Sequence, residues 1–68
     1  MKTMIDNNFK HHAPKGDQSE RYEGIRNAVK DVALLIDFEC PNSREKSLAI
    51  TKLEEAVMWA NAAIARNE

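Results

Sequence analysis

Between Phe9 and Gly16 the chain gathers an aromatic ring, two adjacent imidazoles and two amines, from Phe9, Lys10, His11, His12 and Lys15, on a stretch broken by Pro14 and Gly16. Flat rings stack on bases and cations meet phosphates, so this set suits an anionic ligand that also carries bases. The competing reading is a frayed tail, because residues 1–16 show neither helical nor strand periodicity. Further along, Arg26 and Lys30 stand one helical turn apart, where like charges repel by a few tenths of a kcal/mol when exposed. An anion would relieve that repulsion, although Glu23 offers Arg26 an ordinary partner one turn earlier. Arg66 lies where a cation favours the negative end of a helix dipole. If copies of the chain assemble around a symmetry axis, several Arg66 side chains would converge on one ligand.

Other chemistry finds little support. Neighbouring side chains such as His11 and His12 rarely converge on one ion without further ligands, and no zinc-type spacing of Cys, His or carboxylates follows. There is no nucleophile elbow, phosphate-cradling glycine loop or HExxH pattern. Glu54 and Glu55 are adjacent, about 100° apart around a helix, so they do not face each other as an acid–base pair; a salt bridge to Lys52 suits them better. The residues thus imply binding without catalysis, with no metal and no cofactor.

Two long amphipathic segments must position these groups. Tyr22, Ile25, Val29, Val32 and Ile36 recur at steps of three and four between Asp17 and Phe38, and Ile50, Leu53, Val57, Ala60 and Ile64 do the same between Asn42 and Arg66. Ala49, Ala56 and Ala63 form a second, small-sided stripe beside the latter. Asp17 with Glu20 and Asn42 with Glu45 resemble capping boxes at the two starts, and Pro41 sets the break between Glu39 and Asn42. The expected fold is therefore all-α: an antiparallel two-helix hairpin over residues 17–68, each arm roughly 30 Å long. Residues 1–16 precede it as an ordered arm for ligand contact.

A hairpin of 68 residues has no third layer to cover it. Chains of this size usually need disulfides, a metal or oligomerisation to offset the entropy of ordering. Cys40 is the one cysteine, expected to be buried at the turn, so self-association is the leading expectation. Leu34, Leu35, Phe38, Leu48 and Trp59 support it, since they cannot all face one partner helix. Ten basic and eleven acidic residues give a net charge of −1, which argues against a duplex-binding protein driven by positive charge. No apolar run reaches the roughly 18 residues of a membrane span. With no signal peptide opening the chain, a soluble cytoplasmic protein is expected.

The run from Ser43 through Arg44, Glu45, Lys46, Leu48, Ala49, Ile50, Leu53, Glu54, Glu55 and Ala56, continued by Trp59 to Arg66, resembles the hairpin domain shared by phage anti-CBASS and anti-Thoeris sponge proteins. Phe9 to Pro14, followed by Gln18, Arg21, Tyr22, Ile25 and Arg26, is similar to that domain's leading segment. The likeness spans about residues 9–66, and the short chain resembles the anti-CBASS branch. It implies a homohexamer that holds cyclic oligonucleotide messengers of bacterial immunity without cleaving them. Cyclic dinucleotides would sit between paired protomers and cyclic trinucleotides in separate pockets nearer the axis, with the protein acting in the host cytoplasm. By position, His11 matches an aromatic that stacks on a base, where a tyrosine is expected, and Arg26 a basic residue that meets the phosphates. Arg66 is the candidate for a trinucleotide-type pocket. Phe9, Lys10, His12 and Lys30 complete the candidate ligand-binding set. The rival reading is an oligomeric helical adaptor that displays Trp59 and charged faces to a protein partner.

Overall fold

The computed structural model describes residues 1–68 and contains three helices and no strands: α1 (Lys2–Asn8), α2 (Gln18–Glu39) and α3 (Arg44–Asn67). Cross-links at both ends establish that α2 and α3 run antiparallel. Arg21, near the start of α2, meets Glu68 just past the end of α3, whereas Lys46, near the start of α3, meets Asp37 near the end of α2.

The seam follows the three-and-four spacing with one change of residue. Tyr22, Ile25, Val29, Ala33 and Ile36 of α2 are half-buried, as are Ile50, Leu53, Val57 and Ala60 of α3, and Ile64 is buried. Val32 is exposed, because a step of four from Val29 keeps Ala33 closer to the α3-facing line than a step of three. Of the alanine stripe, Ala49 is half-buried while Ala56 and Ala63 are exposed, so it turns away from α2. The molecule measures 44 × 28 × 12 Å with a radius of gyration of 15.0 Å. A compact domain of this length would have a radius near 11 Å, and 12 Å is one helix diameter. A layer one helix thick has no interior, so only Ile64 and Gln18 are buried, and Phe38, Leu35, Leu34 and Trp59 stay exposed.

The caps differ from the expected boxes. Asp17 occupies the N-cap of α2 but makes no capping bond; its carboxylate lies 3.6 Å from Arg21 instead. At α3 the cap falls one residue later than Asn42. Ser43 Oγ accepts from the Lys46 backbone N–H at 3.1 Å, while Asn42 Oδ1 accepts from Lys46 Nζ at 2.9 Å. The Lys46 ammonium also donates to the Asp37 carbonyl at 2.9 Å and pairs with the Asp37 carboxylate at 2.8 Å. It thereby satisfies one of the orphan carbonyls of the last turn of α2, where a cation is also favoured by the helix dipole. Cys40 sits at the C-cap of α2 with its thiol exposed rather than buried, because the thin turn has nothing to pack over it.

Residues 1–16 are more regular than expected. Met1, Met4 and Ile5, with Asn8, fall at helical spacing, and the chain from Lys2 to Asn8 is α-helical. Its apolar side nonetheless faces solvent, with Met1, Met4 and Ile5 all exposed. No helix is long and apolar enough to cross a membrane.

Candidate functional site

The open end of the hairpin is built by polar ties that bring the N-terminal arm onto the ends of α2 and α3. Asn7 Nδ2 donates to the Arg66 carbonyl at 3.1 Å, capping an otherwise unsatisfied carbonyl in the last turn of α3. His12 Nε2 donates to the Asn7 carbonyl at 2.8 Å; since a carbonyl only accepts, that nitrogen carries its hydrogen. Gly16 reverses the chain with φ of +59°, a conformation that a Cβ would strain. The Lys15 N–H donates to Gln18 Oε1 at 3.2 Å, and Gln18 Nε2 donates to Glu68 Oε1 at 3.4 Å. Gln18, 4 % exposed, therefore joins the arm to the end of α3. Arg21 donates to both Glu68 oxygens at 2.8 and 2.7 Å. That hydrogen bonding chiefly holds the Glu68 carboxyl below, and the Arg21 guanidinium above, its usual pKa.

These ties frame a cleft of about 390 Å³ lined by Asn8, Lys10, His11, His12, Tyr22, Arg26, Asn61, Ala62, Ala65 and Arg66. Its lining contains three fixed cations and two imidazoles but no carboxylate. Lys10, Arg26 and Arg66 take part in none of the four ion pairs of the molecule, so Glu23 does not neutralise Arg26. Three positive charges free of partners beside Tyr22 and two imidazoles make a surface for a phosphate-bearing ligand with flat rings. On the α3 wall, the side-chain oxygen of Asn61 is buried without a hydrogen-bond partner, which costs stability.

Lys10, His11, His12, Arg26 and Arg66 thus come together from the arm, α2 and α3. Lys30 does not line this cleft. It shares with Arg26 the rim of an apolar groove of about 270 Å³ between α2 and α3, opposite Glu54. Phe9, 86 % exposed at the end of α1, lines neither space. Trp59 borders a third groove with Met4, Ala63 and Arg66. Sequence reasoning placed Tyr22 in the helix seam and passed over Asn61. The signal for Asn61 was present: it stands four residues after Val57 and three before Ile64, a polar interruption at the edge of an apolar stripe. No cluster of three or more His, Cys, Asp or Glu side chains is arranged to hold a metal.

No curated protein and no solved structure matches the chain. A family model described as Acb2/Tad1, hairpin domain, matches residues 1–65, which takes in the arm, α2 and all of α3 but its last two residues, Arg66 and Asn67. The chain therefore belongs to the Acb2/Tad1 hairpin-domain family, phage sponge proteins that counter bacterial CBASS and Thoeris immunity by sequestering cyclic nucleotides.

Proposed function

We propose that this protein binds cyclic dinucleotides, and cyclic trinucleotides as a second class, in the host cytoplasm without cleaving them, and so blocks activation of CBASS immunity. The observation that carries this reading is the convergence of Lys10, Arg26 and Arg66, none of them ion-paired, with His11 and His12 in one carboxylate-free cleft. Two phosphates meet the cations and the bases stack on the imidazole and phenol rings. The cleft lies open on one protomer, and a second copy across a two-fold axis would close it while covering exposed apolar residues such as Trp59. Lys30 and Phe9 would reach the ligand from the rim and from the second copy. Sequestration requires no general base; with protein in excess and a low Kd, little free messenger remains.

Isothermal titration of the purified protein with a panel of cyclic di- and trinucleotides tests the reading, with chromatography of the ligand released by heat. Tight binding with intact ligand recovered is the expected result, and hydrolysed ligand would exclude a sponge. The adaptor reading draws on a separate observation, the exposure of Leu34, Leu35 and Phe38 near the turn, none of which lines the cleft. A folded protein that gives no heat with any ligand would favour it.

A further inference from the structure

We propose that the cleft takes up a proton together with its nucleotide anion, and that His11 is the acceptor; the inference rests on the cyclic-nucleotide reading above. His11 and His12 both line the cleft, yet they are placed differently. His12 is half-buried and committed through Nε2 to the Asn7 carbonyl at 2.8 Å. His11 is exposed and forms no hydrogen bond with the rest of the chain, so both of its ring nitrogens are available to a ligand.

The ionisable groups facing it come from every element of the cleft. The arm supplies Lys10 and His12, α2 supplies Tyr22 and Arg26, and α3 supplies Arg66. The adjoining cleft, which shares His11, adds Lys15 and Glu68, and Glu68 is already held by both guanidinium nitrogens of Arg21. α1 contributes only the amides of Asn7 and Asn8. No side-chain carboxylate other than that of Glu68 therefore lines either cleft, and a bound phosphodiester would bring negative charge to His11.

A phosphodiester does not titrate between pH 5 and 8, whereas imidazole changes charge in that window. An anion beside an imidazole favours its charged form. By linkage, a ligand that favours protonation is itself bound more tightly as the pH falls. The gain is about tenfold for each unit by which the bound ligand raises the imidazole pKa. The site would hold its messenger most tightly under mildly acidic conditions, and the imidazolium donates to a phosphate oxygen as a charge-assisted hydrogen bond.

The test is calorimetric titration of the protein with cyclic di-AMP, cyclic di-GMP and cyclic GMP–AMP at pH 7, in buffers of differing ionisation enthalpy, then at pH 6 and pH 8. The expected result is a binding heat that depends on the buffer, with net proton uptake, and affinity about three- to tenfold higher at pH 6 than at pH 8. His11→Gln should abolish the uptake and flatten the pH profile. His12→Gln, whose amide can still donate to the Asn7 carbonyl, should retain the uptake whatever it does to affinity. Binding without buffer dependence would overturn the inference and leave the sponge reading standing. Uptake lost in His12→Gln but kept in His11→Gln would overturn the assignment to His11. The absence of heat with all three ligands, on a folded protein, would remove the underlying reading and the inference with it.

Discussion

The two ends of the hairpin solve the same problem with different means. At the turn, the chain itself joins α2 to α3, and one side chain, Lys46, satisfies the Asp37 carbonyl and carboxylate and the Asn42 amide. At the open end nothing covalent joins the helices, and side chains of Asn7, His12, Gln18, Arg21 and Glu68 tie the arm, α2 and α3 together. Ile64, the buried apolar residue, lies near the open end, while Leu34, Leu35 and Phe38 stand exposed toward the turn. The open end is a polar frame around a cationic cleft, and the turn end is a short connection beside exposed apolar side chains.

The largest expected effect on this contrast comes from Ile64→Ala. It removes the anchor beneath the open end and should cost about 2 kcal/mol, the low end for a buried aliphatic residue because the layer is thin. Urea unfolding measures it, and a change within error would show that the open end is held by its polar ties alone. Arg26→Ala should weaken cyclic-dinucleotide binding roughly ten- to a hundredfold through loss of a charge-assisted contact. Arg44→Ala, at the turn end and outside every cleft, should leave the affinity as it was. Equal losses in the two variants by calorimetry would reduce the cleft to diffuse electrostatics. If copies of the chain pair through the turn end, replacing Leu35 by Ser and Phe38 by Asp together should move the protein to a lighter species in sedimentation while helicity is kept. An unchanged profile would show that these two side chains hold no contact between copies.

The smallest effect is electrostatic. Since the Glu68 carboxyl is held below its usual pKa by Arg21, its contribution to stability is present above the unfolded value, about 4.3, and is lost as the pH falls through the lower folded value. Both groups are solvent-exposed, so the loss should be modest. Thermal melts between pH 5 and pH 2.5 should show a steeper decline for the parent than for Glu68→Gln, and parallel curves would mean that the pair does not tie the open end together.

Periodicity made much of this legible. The spacing of Tyr22, Ile25, Val29 and Ile36, and of Ile50, Leu53, Val57 and Ile64, predicts two helices and the faces they share, because a helix places residues three and four apart on one stripe whatever surrounds it. Pro41 located the break for an equally local reason. The candidate cations were visible by type. Their grouping was not, since Lys10 and Arg66 are separated by most of the chain and meet only because the hairpin returns and the arm folds back. The short helix α1 escaped notice because two turns carry too few apolar residues to show a period, and its side faces solvent. The cap of α3 moved from Asn42 to Ser43 because both residue types can cap, and Lys46 was better served by keeping Asn42 for its ammonium.

What the sequence determined by itself is local: two amphipathic helices, the turn at Pro41, the apolar excess that one partner helix cannot cover, and the absence of catalytic spacing. What only the tertiary structure decided is which distant groups share a space. Asn7 on the Arg66 carbonyl and Gln18 on Glu68 depend on hydrogen bonds between segments distant in sequence. Such bonds leave no period in the chain, because each is made by one side chain at one place where two segments happen to meet.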